Sequence, residues 1–187
     1  MIRIGIIAED DSDVNVLRSI IGKLATRNFG VEKFVGNGCG KLRSKCNAWS
    51  ADLKKRGCSL LILVHDLDTA NLGQIDADLK AALSPCQIKL NIIVIPVKEI
   101  EAWLLADHEA IKKAMKISRS IGKVSNPESI SRPKERLRDL IYIRSGHKIR
   151  YVNSIHNVKI ADACKVANLR RCESFQPLEN FLKAHVR

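Results

Sequence analysis

Three short apolar runs govern what this chain can become: Ile2–Ala8 (I-R-I-G-I-I-A), Cys58–Val64 (C-S-L-L-I-L-V) and Leu90–Val97 (L-N-I-I-V-I-P-V). The first is rich in β-branched residues and each is nearly continuous, the pattern of a strand covered on both faces. A fourth, shorter run, Val31–Val35, reads as another strand. The stretches between them have helical spacing. Val14, Leu17, Ile21 and Leu24 recur along one face, with Ser12 or Asp13 placed to cap the helix. Lys41–Arg56 carries Leu42, Cys46, Trp49 and Leu53 on one side and is closed by Gly57. Asn37–Gly40 precedes it as a loop. Gln74–Leu83 is a third helix, closed by Ser84-Pro85.

Strands alternating with helices imply parallel pairing with right-handed crossovers. The expected fold class is therefore α/β: a three-layer, Rossmann-like sandwich of about four mainly parallel strands. Pro96 falls near the end of the last strand, where a missing N–H is tolerated. A helix from Glu99 to about Asp107 and another to about Ile117 follow. The texture then changes. A polar linker (Ser125–Pro133), a helix (Pro133–Ile143) and two further short helices are expected, with a weak strand at Ile149–Val152. This divides the chain into an α/β core (1–110) and a basic helical extension (111–187) packed on it.

The division is also one of charge. Residues 1–110 hold 14 Lys+Arg and 14 Asp+Glu, whereas residues 111–187 hold 18 against 6, so the whole net charge of +12 lies in the extension. Such asymmetry points to a polyanionic partner, nucleic acid above all, because each phosphate contact releases counterions. Lys134, Arg136, Arg138, Arg144, Lys148 and Arg150 are the expected phosphate contacts. Lys134 and Arg138 stand at i and i+4 on one helical face. A solvated, soluble helical surface is the plain alternative. No apolar run reaches the roughly 18 residues that would span a bilayer. The N-terminus enters a strand at once, so a cytoplasmic location without membrane contact is expected. The six cysteines are scattered without a C-x-x-C pair, which reads as reduced thiols, several of them buried.

Chemistry in open α/β sheets collects beyond the carboxyl ends of the strands. Here three strands run into acids: the first into Glu9-Asp10-Asp11 with Asp13 behind, the third into His65-Asp66-Leu67-Asp68, the fourth into Glu99 and Glu101. In an extended segment Asp66 and Asp68 share a face, and Glu9 joins them if the first and third strands are neighbours. Two carboxylates about 4 Å apart repel by roughly 4 kcal/mol at an effective dielectric near 20. Such a cluster takes up protons or holds a cation, and all-oxygen ligation suits Mg²⁺ or Mn²⁺. Asp10, Asp11 and Asp13 also lie where helix N-terminal acids are favoured.

The pairing of I-I-A-E-D-D-S-D-V (Ile6–Val14) with L-I-L-V-H-D-L-D (Leu61–Asp68) resembles the Toprim domain of topoisomerases, primases and overcoming-lysogenization-defect nucleases. P-V-K-E-I-E-A-W-L-L-A-D (Pro96–Asp107) and S-F-Q-P-L-E-N-F-L (Ser174–Leu182) further resemble a small bacterial Toprim-like family, whose members are often associated with ABC-type ATPases in phage defence. The resemblance implies a Mg²⁺-dependent nuclease. Glu9 would bind metal or move protons, Asp66 and Asp68 would hold the metal, and Asp13 matches an acid often found four residues after the glutamate. Glu101 is the candidate fourth catalytic carboxylate, or else a helix-start acid. Asp10 stands where most Toprim sequences have Gly. His65 is a candidate proton donor, or a structural histidine.

Two other functions fit parts of the pattern. One is a non-catalytic Toprim-like scaffold that binds nucleic acid or a partner ATPase. The other is a phosphoacceptor receiver domain with Asp66 as its acceptor and Lys98 as its lysine. A receiver also needs a fifth strand and a small hydroxyl residue ending the fourth, where this chain has Pro96-Val97.

Overall fold

In the computed structural model, which describes residues 1–186, four parallel strands form one sheet in the order β2-β1-β3-β4. They are β1 (Ile2–Ala8), β2 (Phe29–Val35), β3 (Leu60–Val64) and β4 (Leu90–Val94). Helix α1 (Asp11–Leu24) covers one face, while α2 (Cys39–Lys55) and α3 (Leu72–Leu83) cover the other. The chain is thus a three-layer α/β sandwich. Strand side chains alternate between the layers. Ile4, Ile6, Ala8, Leu60, Ile62 and Val64 join α1 in one hydrophobic cluster, and Ile7, Leu61 and Leu63 join Leu42, Cys46, Leu53, Ile75 and Leu79 in the other.

The last third completes the α1 side. Helices α4 (Glu101–Leu105), α5 (His108–Ala114), α6 (Pro133–Arg144), α7 (Asn153–Ala163), α8 (Val166–Leu169) and α9 (Gln176–His185) follow β4. Trp103, Leu137, Ile141, Ile160, Phe175, Leu178 and Leu182 are fully buried in the same cluster as α1. The helical extension therefore shares its interior with the sheet.

Several expectations are corrected. The third strand starts at Leu60 in place of Cys58, whose amide donates to the Leu53 carbonyl of α2 at 3.0 Å, and the fourth ends at Val94 in place of Val97, just ahead of Pro96, which has no N–H to donate. Ile149–Val152 is not a strand: it is an irregular link in which the Val152 amide donates to His156 Nδ1 at 2.8 Å. The Asn37–Gly40 loop is shorter than read, because α2 begins at Cys39 after a turn in which Gly38 holds φ of 122°. Trp49 stays half-buried, stacked on Phe34 with ring centroids 5.3 Å apart. The cap of α1 is Asp10, not Ser12 or Asp13; its carboxylate accepts from the amides of Ser12 (2.6 Å) and Asp13 (3.3 Å). Among the described residues the sheet has no fifth strand after Lys98, which deprives the receiver reading of the element that would carry its lysine.

A carboxylate cluster at the strand ends

Strand order reverses between β1 and β3: the chain leaves β1 toward β2 and afterwards builds outward through β3 and β4. The crevice beyond the ends of β1 and β3 is where open α/β sheets place their sites. The register pairs Ile7 with Leu63, which brings Glu9 level with the His65-Asp66 segment. There the Asp66 amide donates to Glu9 Oε1 at 3.3 Å. His65 is buried beside it, its Nδ1 2.6 Å from the Asp66 carbonyl and 3.4 Å from Glu9 Oε1. Its Nε2 lies 3.4 Å from Arg43 Nη2. A carbonyl only accepts and a guanidinium only donates, which matches a proton on Nδ1 and the Nε2 lone pair toward Arg43. His65 thus bridges Arg43 and the Glu9–Asp66 turn.

Asp66 Oδ1 accepts from the Ile100 amide at 3.1 Å, fixing the turn into α4. The D-x-D alternation does not survive in this segment. β3 ends at Val64, and Asp68 holds a positive φ of 51°, so the two aspartates are placed by a loop and not by a pleat. Asp68 is exposed and its amide donates to the Lys98 carbonyl at 2.9 Å.

Glu101 is buried, 4 % exposed, at the start of α4. Its Oε1 accepts from Asn157 Nδ2 (3.0 Å) and faces the Tyr151 hydroxyl (3.2 Å), whose single proton is shared with Asn157 Oδ1. Asn157 Nδ2 also donates to Ser12 Oγ at 2.8 Å. Glu101 is thus held from the C-terminal layer, by residues that sequence reasoning left out. Only the polar residues Asn157 and Ser12, facing inward on otherwise apolar helix faces, could have signalled this. On α1, Asp13 Oδ2 accepts from the Asp10 amide at 3.2 Å, closing a capping box. Asp10 is extended (φ −139°, ψ 171°) and folds its carboxylate back onto α1, so the departure from glycine places no side chain across the crevice.

Asp66 lies within electrostatic reach of Glu9, Asp13, Asp68 and Glu101. Burial pushes Asp66 well above the usual carboxylate range, helped by repulsion from Asp13, Glu101, Glu9 and Asp68. Burial pushes Asp13 up to about 8, with Asp10, Glu101 and Glu9 adding repulsion. Glu9 is also raised by burial, against the opposing pull of His65, the Asp66 amide and Arg43. Glu9 Oε2, Asp13 Oδ1, Asp66 Oδ2, Glu101 Oε2 and both Asp68 oxygens accept no hydrogen bond among the described residues. None of them is sealed from solvent. Spare oxygens on repelling carboxylates are the donor set a hard cation takes. Among the described residues, however, no three His, Cys, Asp or Glu side chains close into a ready-made metal shell. Glu9, Asp13, Asp66 and Glu101 are instead each drawn toward a protein donor.

Residues 8–183 match the model of a domain of unknown function, DUF4276. The chain belongs to the DUF4276 family. No curated protein and no solved structure matches it. Glu9, Asp13, Asp66, Asp68 and Glu101 all fall inside the matched span, so the site belongs to the DUF4276 domain itself.

One further group of this DUF4276 chain escaped the sequence reading. Arg43, on α2, reaches the crevice from the opposite layer; its Nε is buried without a partner and its Nη1 lies 3.9 Å from Asp78. Nothing in the local sequence K-L-R-S-K distinguished it from its basic neighbours.

The expected basic stripe is only partly assembled. Lys134 and Arg138 line one groove of about 360 Å³ with Tyr151 and Asn153, adjoining the carboxylates through Tyr151–Glu101 and Asn153 Nδ2–Asp10 Oδ2 (3.4 Å). Arg138 and Arg150 line the next groove. Arg136 faces the other flank of α6, where Lys123 and Arg144 border a separate groove, and Lys148 shares a further one with Lys116 and Arg119. Successive helical residues turn by 100°, so Arg136 cannot share the face of Lys134 and Arg138. The cysteines form no disulfides; four are buried. Among the described residues no helix is long and apolar enough to cross a membrane.

Proposed function

We propose that this DUF4276 domain hydrolyses phosphodiester bonds of nucleic acid with a divalent cation held at the strand-end carboxylates. The observation that carries the reading is the convergence of five carboxylates from four parts of the chain, where burial, helped by their mutual repulsion, raises Asp66 and Asp13 far above their ordinary range while one oxygen of each stays free. Glu9, Asp66 and Asp68 would hold Mg²⁺ or Mn²⁺, with Asp13 beside them. The cation supplies Lewis-acid polarisation and neutralises charge on the phosphate. Glu9, 21 % exposed at its side chain, accepts a proton from the attacking water. Glu101 stands buried beside them, oriented by Tyr151 and Asn157. Arg43 offers guanidinium donors to the phosphate from the α2 side, and Lys134 and Arg138 hold flanking phosphates without reading bases. The Toprim resemblance points to the same chemistry.

A second reading is a scaffold that binds nucleic acid, or an ABC-type ATPase, without cutting. It is favoured by the absence of a closed metal shell among the described residues, where Glu9, Asp13, Asp66 and Glu101 bond to protein. Incubation with plasmid, single-stranded DNA and RNA in Mg²⁺ or Mn²⁺, beside Glu9→Gln and Asp66→Asn, separates the two. Cleavage abolished by both substitutions supports the nuclease. Cation binding without cleavage, with or without a co-purified ATPase, supports the scaffold.

A further inference from the structure

The groove nearest the carboxylates continues away from them. Its lining residues Arg138 and Tyr151 also line a second groove of about 280 Å³, completed by Tyr142, Arg150 and Asp139. Tyr142 is 41 % exposed, unusual for a ring on a helix whose neighbours Leu140 and Ile141 are buried. Its ring stacks on His147, centroids 4.8 Å apart and planes inclined by 25°. The imidazole backs one face of the ring. Asp139, the one acid in the groove, is neutralised by Arg138 Nε at 2.9 Å, which leaves the other guanidinium nitrogens of Arg138 to face a ligand. An aromatic ring, backed by a second ring and flanked by two arginines, matches a nucleobase and the phosphates on either side of it.

We infer that this groove binds single-stranded nucleic acid, with Tyr142 stacking a base while Arg138 and Arg150 hold the adjoining phosphates and Lys134 leads the strand to the carboxylate cluster. A duplex keeps its base faces stacked inside and offers Tyr142 only sugar and phosphate; a single strand offers a free π-face. This deepens the proposed phosphodiesterase reading by naming its substrate class, yet the binding itself needs no catalysis.

The experiment is fluorescence anisotropy in EDTA, with a fluorescein-labelled oligodeoxythymidylate and a duplex of equal length. Single strand should bind at least about tenfold more tightly than duplex. Tyr142→Leu should lower single-strand affinity by about tenfold, with duplex affinity unchanged and Tyr142→Phe restoring the loss. Equal affinity for the two forms, or an unchanged single-strand affinity in Tyr142→Leu, overturns the inference; the ring is exposed, so neither result traces to unfolding. The two proposals fail separately. Tight single-strand binding with no cleavage in Mg²⁺ or Mn²⁺ removes the nuclease and leaves the groove assignment standing, whereas cleavage indifferent to strandedness removes only the latter.

Discussion

The Asp66 amide donates to Glu9 Oε1 at 3.3 Å, so the proposed proton acceptor at the end of β1 also ties down the loop that follows β3. Charge and geometry are separable there. Glu9→Gln keeps an oxygen that can accept the amide, and should lower nuclease turnover by about 100-fold or more with little change in melting temperature. Glu9→Ala removes both functions and should also lower the melting temperature. Turnover retained in Glu9→Gln would end its assignment as proton acceptor.

Asp13 gives the cluster a signature in pH. Its carboxyl is pushed from 3.8 up to about 8, so between those values the folded chain keeps a proton that the unfolded chain has released. Stability should therefore be highest at the acid end and fall as pH rises toward 8, by at most about 1.4 kcal/mol per unit for this group. Asp66, also raised, pulls in the same direction. Thermal melts from pH 5 to 8 should show the decline, and Asp13→Asn should flatten it. Mg²⁺ should raise the melting temperature more at pH 8 than at pH 5, where protons compete for the same oxygens.

Asn157 is fully buried between Ser12 and Glu101. Asn157→Ala strips a buried carboxylate of one donor and should cost about 2–3 kcal/mol in urea denaturation. Tyr151→Phe removes the other donor, from the rim of the groove, and should cost less.

Cations on the two flanks of α6 should behave differently in salt. Lys134→Ala and Arg138→Ala should each reduce the slope of log affinity against log salt by about one; Arg136→Ala, on the opposite flank, should leave it unchanged. A titration of oligonucleotide binding from low to high salt measures all three.

Gly5 lies in β1 under α2, where an added Cβ would come within 2.8 Å of Leu53 Cδ1. Gly5→Ala should destabilise the chain by about 1–3 kcal/mol, readable by denaturant titration, through overpacking alone.

The sheet was legible because a strand covered on both faces must be apolar throughout, and Ile2–Ala8 carries that requirement in its letters. The end of a strand is written less clearly. His65 to Asp68 continues β3 in sequence, but hydrogen bonding to the segment after β4 and the positive φ of Asp68 turn it into a loop, which no period-two pattern records. Glu9, Asp66 and Glu101 could be found because acids after apolar runs stand out. Arg43 and Tyr151 could not, since each reaches the crevice from a helix or link whose approach depends on tertiary packing, and Asn157 left only the hint of a polar residue on an apolar helix face.

Glu101 owes its orientation to Tyr151 and Asn157, which follow it by some fifty positions along the chain. During synthesis the acids emerge before their anchor. On the ribosome the centre therefore stays unfinished until α7 has left the exit tunnel and docked.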